Sequence, residues 1–209
     1  MSNSIEIESI KSRVIPVLVI EDASWSIDLA STLVQSGLPL VEVTLRTKAS
    51  WDAIESMRKV SGLTLGVGSV SKSSDLVRAI ELKVDFAVSA GIRSELVEKS
   101  FELGIPYIPG VSTPSEILSG ISHGLTTLKW FPAEAIGGIT ALKAISAPFP
   151  NLRFIPTGGI TAENGKNYLM EHFVRSIGGS WMFPRDLMAK QDLVSLKNCF
   201  LETLKGLQA

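Results

Sequence analysis

The stretch VIPVLVIEDASWSIDLASTLVQSGLPLVEVTLR, running from Val14 to Arg46, decides the fold, because within it the hydrophobic period changes and then returns. Val14–Ile20 is a seven-residue run rich in β-branched side chains and reads as a buried strand. In SWSIDLASTLVQSG the apolar residues instead recur three and four apart, the spacing of one face of a helix. Gly37 then reads as a helix stop, since glycine readily takes the left-handed conformation just past a helix end. From Leu40 to Leu45 the chain returns to a β-branched run, so the stretch is a βα unit delivering a second strand.

The same alternation continues to the end of the chain. Further strands are predicted at Leu63–Val67, Phe86–Ser89, Tyr107–Pro109, Thr126–Phe131, Arg153–Thr157 and Phe173–Gly178, which makes eight. Amphipathic segments such as SWDAIESMRKV lie between them, and Gly62, Gly104 and Gly124 read as further stops. Eight units in 209 residues allow about 26 residues each, lean but sufficient for a (β/α)8 TIM barrel. A doubly wound open sheet competes, but its first strand normally feeds a glycine-rich nucleotide loop, and here that strand ends in Ile20-Glu21-Asp22. No low-complexity or Pro/Ser-rich linker divides the chain. The expectation is therefore an α/β protein, one barrel domain over residues 1–209.

Composition narrows the function. With 20 Lys+Arg against 21 Asp+Glu the net charge is −1, so no general field attracts nucleic acid or an acidic membrane, and an anionic ligand needs a local site. The longest clearly apolar run, seven residues, falls far short of the roughly 20 that cross a bilayer. The opening MSNSIEIESIKSR is polar and of mixed charge, without the apolar segment of a secretory signal, which predicts a cytoplasmic protein. Cys199 is the only cysteine, so no internal disulfide or multi-cysteine metal site forms. His123 and His172 precede strands, at the end of a barrel away from its chemistry, and no His/carboxylate cluster suggests a metal.

The chemistry of a barrel of this kind sits at the C-terminal ends of its strands. In Val41-Glu42-Val43-Thr44-Leu45-Arg46 side chains alternate, so Val41, Val43 and Leu45 face the helices and Glu42, Thr44 and Arg46 face the lumen. A Glu42–Arg46 ion pair serving only itself would span about 13 Å, too far for direct pairing. In Thr127-Leu128-Lys129-Trp130-Phe131-Pro132 the same alternation turns Lys129 and Phe131 inward. An ammonium there loses hydration, which disfavours its charged form and prepares a nucleophilic amine. The alternative is a lysine whose head reaches the barrel mouth and merely neutralises Glu42. A base and an amine facing one lumen favour covalent chemistry.

Two glycine clusters complete the pattern: Thr157-Gly158-Gly159 after the seventh strand and Gly178-Gly179-Ser180 after the eighth. Each alone could be a tight turn. Jointly they occupy the habitual phosphate position of such barrels, where main-chain N–H groups meet an anion. The turn Gly66-Val67-Gly68-Ser69 adds a hydroxyl at the mouth.

Taken in order, these motifs resemble the 2-keto-3-deoxy-6-phosphogluconate (KDPG) aldolases, the class I pyruvate aldolases of the Entner–Doudoroff pathway. The likeness runs through Val14-Ile15-Pro16-Val17, Glu42-Val43-Thr44-Leu45-Arg46-Thr47, Ile108-Pro109-Gly110-Val111-Ser112-Thr113, Lys129-Trp130-Phe131-Pro132-Ala133-Glu134, Pro156-Thr157-Gly158-Gly159-Ile160 and Ile177-Gly178-Gly179-Ser180-Trp181. The resemblance implies that Lys129 forms the Schiff base and Glu42 is the general acid/base. It implies that Arg46 and Ser69 hold the pyruvyl carboxylate, that Phe131 packs beside the imine, and that Thr157, Gly158, Gly159, Gly178, Gly179 and Ser180 receive the phosphate. It further implies a homotrimer, no cofactor or metal, and a phosphorylated 2-keto-3-deoxy sugar acid and pyruvate as ligands. Phosphogalactonate or 4-hydroxy-2-oxoglutarate cleavage by the same lysine chemistry, a non-covalent phosphate-barrel isomerase or synthase, and a non-enzymatic sugar-phosphate sensor are the alternatives. Ser69 stands where the family commonly has threonine, and Ala90 where it commonly has proline.

Overall fold

In the computed structural model, which describes residues 10 and 12–208, the strands are parallel and short. They are β1 (Val14–Leu18), β2 (Leu40–Thr44), β3 (Thr64–Gly68), β4 (Phe86–Val88), β5 (Tyr107–Ile108), β6 (Gly110–Val111), β7 (Thr127–Trp130), β8 (Arg153–Pro156) and β9 (Ile177–Gly179). One sheet has the order β5-β4-β3-β2-β1-β9 and a second the order β6-β7-β8. The result is an α/β fold whose parallel strands curl into a half-barrel.

Helices cover the outer side: α1 (Ser26–Gln35), α2 (Ser50–Met57), α3 (Ser73–Glu81), α4 (Ser94–Leu103), α5 (Pro114–Ser122), α6 (Gly138–Ser146), α7 (Gly165–Leu169), α8 (Arg185–Lys190) and α9 (Leu193–Gln208). Each follows from local sequence. In α5, for example, Pro114 fills the first turn, where its missing N–H is no loss, and Thr113 Oγ1 accepts a hydrogen bond from Glu116 N at 3.3 Å. Gly37, Gly104 and Gly124 close α1, α4 and α5 with φ of +82°, +69° and +79°, whereas Gly62 (φ +80°) lies beyond the turn after α2.

Alternation along the strands separates two cores. Val41, Val43, Leu65, Val67, Leu128 and Trp130 pack with helix residues such as Leu29, Ile54, Leu76 and Leu96. Ile15, Leu40, Phe86, Val88, Ile108 and Ile155 form a separate cluster on the other face. That inner cluster depends on a missing side chain. A Cβ on Gly66 would lie 2.1 Å from Cζ of Phe86, itself fully buried. Gly66→Ala should therefore overpack the interior and cost about 1–3 kcal/mol, a fall in Tm of about 2–10 °C. An unaltered melting curve would mean that the Phe86 ring has room to move.

Most strand ends fall one or two residues from expectation, and the pattern itself differs at two places. The fifth strand, expected as Tyr107–Pro109, is two pieces flanking Pro109, which has no N–H to give to a ladder. The eighth, expected as Phe173–Gly178, is regular only over Ile177–Gly179, because the chain changes neighbours within it. Arg175 N donates to Phe154 O in β8, and two residues later Ile177 N donates to Arg13 O beside β1.

Candidate active site

Glu42 on β2 and Lys129 on β7 are 87 residues apart in sequence, yet their side chains meet inside the curl. Lys129 Nζ lies 3.4 Å from Glu42 Oε1, and the two residues are only 5% and 2% exposed. Burying both charges costs desolvation, which a single contact of that length repays poorly, so stability is not the evident reason for the pair. Room for it is made by Gly68 on the neighbouring strand, where a Cβ would fall 2.1 Å from Glu42 Oε1. The Phe131 ring flanks the lysine, with Nζ 5.2 Å from its centroid.

The chain turns just after β2, with Arg46 N donating to Thr44 O at 2.9 Å, and this brings Arg46 out to the mouth of the curl. Two hydroxyls hold that turn: Ser50 Oγ donates to Thr44 O at 2.8 Å and Thr47 Oγ1 to Ile20 O at 2.5 Å. Arg46 Nε donates to Ser69 Oγ at 3.4 Å. Ser69 follows β3 with φ +61°, a left-handed backbone that costs a serine about 1 kcal/mol or more and here aims its hydroxyl at the arginine.

Beside the Glu42–Lys129 pair, and sharing the Phe131 ring that flanks Lys129, lies a cavity of about 440 Å³ whose lining includes neither member of the pair nor Ser69. Seven of the residues expected in the site line it: Arg46, Phe131, Thr157, Gly158, Gly159, Gly179 and Ser180. Gly158 and Gly159 form its floor with φ of +99° and +78°. Gly178 stands behind this wall, in close approach to Thr157, whose Oγ1 would be 2.3 Å from a Cβ there. Sequence reasoning missed Val17, Pro132, Glu134, Ala135 and Ile160, which complete the lining. Pro132 and Glu134 belong to the quoted lysine motif, and Val17 and Ile160 close two of the other quoted motifs, so membership of those motifs was the available signal.

The loop after β4, where Ala90 lies, is held from below. Ser89 Oγ donates to Gly91 O at 2.7 Å and so accepts from Tyr107 Oη, 2.6 Å away. Burial pushes the Tyr107 pKa up to about 12, so the phenol stays a donor. His123 caps the end of α5, its Nδ1 2.8 Å from Ser119 O, away from the pair. Among the described residues no group of three or more His, Cys, Asp and Glu could hold a metal, and no helix is long and apolar enough to cross a membrane.

A buried amine with a carboxylate at its side, next to a cavity with an arginine and a glycine turn in its walls, is equipped for imine chemistry on an anionic carbonyl compound. Comparison with known proteins agrees. The family model for KDPG and KHG aldolases matches residues 5–199. The KHG/KDPG aldolase of Escherichia coli (strain K12) is 40% identical over 194 residues, covering 92% of this chain and 91% of that protein. The crystal structure of the 2-keto-3-deoxy-6-phosphogluconate aldolase of Zymomonas mobilis ZM4 with 3-phosphoglycerate superposes with a TM-score of 0.90 at 35% identity, covering 97% and 96% of the two chains. That of Legionella pneumophila KDPG aldolase, with pyruvate captured as a covalent carbinolamine, gives 0.89 at 33% identity, covering 97% and 98%. With matches of this extent, the chain belongs to the KDPG and KHG aldolase family of carbon–carbon lyases.

Proposed function

We propose that this protein is a class I aldolase that cleaves 2-keto-3-deoxy-6-phosphogluconate to pyruvate and glyceraldehyde 3-phosphate. The observation that carries the reading is the Lys129 Nζ to Glu42 Oε1 contact of 3.4 Å, with the Phe131 ring joining it to a cavity that has an arginine and a glycine turn in its walls. Transfer of the ammonium proton to Glu42 leaves a nucleophilic amine beside a carboxylic acid, the state that carbonyl addition requires. Lys129 attacks the C2 ketone, and the carbinolamine loses water, its oxygen protonated by Glu42, to give an iminium ion. Glu42 then removes the C4 hydroxyl proton, the C3–C4 bond breaks, and its electron pair passes into the iminium to form an enamine. The aldehyde leaves, C3 takes a proton, and hydrolysis of the iminium frees pyruvate and the amine. The protonated imine is the electron sink, so the reaction calls for no metal.

Arg46, with Ser69 beside it, suits the substrate carboxylate, because a guanidinium fork binds two oxygens at once. Phe131 packs next to the imine carbon. The phosphate goes to the other end, where the Gly158-Gly159 turn and Ser180 line the cavity beside Thr157 and Gly179, and Gly178 allows the two turns to approach. Binding energy from that remote group orients the reacting carbons.

The same reading takes the two sheets as one closed (β/α)8 barrel. Its support is the pair of bridges Phe154↔Val174 and Thr157↔Gly178 between the β8 and β9 segments, and Pro109 alone separating β5 from β6. A homotrimer follows from the family likeness, with sedimentation as its check. A cytoplasmic location accords with a phosphorylated substrate, whose charge keeps it from crossing bilayers.

Incubation with pyruvate and borohydride should add a stable reduced adduct to the peptide containing Lys129, read by mass spectrometry. A wild-type protein that cleaves substrate yet yields no adduct would remove the covalent mechanism. The name of the Escherichia coli relative favours a second substrate, 4-hydroxy-2-oxoglutarate, cleaved through the same imine; release of pyruvate from each acid in parallel assays ranks the two.

A further inference from the structure

The Gly158-Gly159 turn takes its position from the segment that follows β7. Ala133 N donates to Thr157 O at 2.8 Å and Glu134 N to Gly158 O at 3.0 Å. Gly159 approaches the Glu134 side chain so closely that a Cβ on it would lie 2.6 Å from Glu134 Cβ. Glu134 Cγ would lie 2.8 Å from the same position, so the turn of the Glu134 side chain helps bound the space that Gly159 occupies.

Glu134 is exposed, and an exposed glutamate has many rotamers to choose from. Here one is selected by Tyr168 on α7, 1% exposed, whose phenol donates to Glu134 Oε1. Burial and the adjoining carboxylate push the Tyr168 pKa well above the usual phenol value, so the donor is not lost by ionisation at ordinary pH. The bond also matters electrostatically. Glu134 forms part of the wall of the 440 Å³ cavity and of a neighbouring one of about 290 Å³ that Tyr168 lines. A carboxylate free to swing into the first would repel an anion there.

We propose that Tyr168, acting through Glu134, is a positioning residue that sets the Gly158-Gly159 turn and with it the affinity for the phosphoryl end of the substrate. The inference rests on the assignment of that turn to phosphate.

Steady-state kinetics with the phosphorylated substrate, competitive inhibition by inorganic phosphate, and deuterium exchange from D2O into the methyl group of pyruvate test it together. Tyr168→Phe should raise KM and the phosphate inhibition constant in parallel by about ten-fold, with kcat and pyruvate exchange changed by less than about three-fold. Glu134→Ala, an exposed site that threatens folding less, removes the side chain against Gly159 together with its charge and should raise both constants by less than Tyr168→Phe does, and the double variant should match Glu134→Ala. Glu134→Gln keeps an oxygen acceptor for the phenol and should recover most of the affinity. Phosphate inhibition unchanged in both single variants overturns the positioning role while leaving the phosphate assignment intact. Loss of pyruvate exchange as large as the loss of phosphate affinity overturns it too, by making the pair a general support of the fold. A wild-type enzyme indifferent to inorganic phosphate and equally active on an unphosphorylated analogue overturns the assignment and the inference with it.

Discussion

Lys129→Met is expected to reduce turnover by at least about 10⁴-fold, because it removes the amine to which the proposed mechanism assigns the imine while keeping most of the side-chain volume. It should also destabilise the protein. The variant leaves Glu42 buried without its cation, and breaking a buried pair from one side costs about 3–5 kcal/mol. Adding Glu42→Gln to Lys129→Met removes the stranded charge and should restore much of the melting temperature while restoring no activity. That combination separates a lysine needed for chemistry from a lysine needed for folding. A single variant that retains turnover within about ten-fold would mean that another group bonds to the ketoacid, and the mechanism would have to be abandoned.

Glu42→Gln alone also takes the charge from one side of the pair and should lower the melting temperature, though less than Lys129→Met because the amide oxygen can still accept from Lys129 Nζ across the same 3.4 Å, and it should reduce kcat by about 10² to 10⁴. The loss belongs to the proton transfers: neither carbinolamine dehydration nor removal of the C4 proton has another acid or base within the buried pair. KM should move far less than kcat, because the arginine and the glycine turns remain in place. An unaltered kcat would reduce Glu42 to a partner that holds the lysine and nothing more, and the proton shuttle would then have to be a water or the substrate's own phosphate.

The same two residues mark how far the sequence could be read. Strand alternation turned Glu42 and Lys129 inward, and an inward charge among Val41, Val43, Leu128 and Trp130 is costly enough to be noticed from composition alone. The glycine pairs were equally visible, because they punctuate the ends of strands at 157–159 and 178–180. The link between Glu134 and Tyr168 was not. A glutamate on a single 3-10 turn and a tyrosine on a five-residue helix are ordinary surface and core residues until the hydrogen bond between them is seen. Strand ends also misled, for the Phe173–Gly178 run has strand composition throughout while its backbone bonds first to one neighbour and then to another.

From its residues alone the chain determined the succession of strands and helices, the face on which each side chain falls, and the chemical types available at the strand ends. These are properties of periodicity and propensity, which act over a few residues. Only the tertiary structure decided that an amine and a carboxylate 87 residues apart stand 3.4 Å from each other, that Gly66 and Gly68 make room for Phe86 and Glu42, and that a buried phenol holds the glutamate behind the glycine turn. Those are distances across the curled sheet, set by strand register and by which neighbours each strand accepts, and no local pattern carries them.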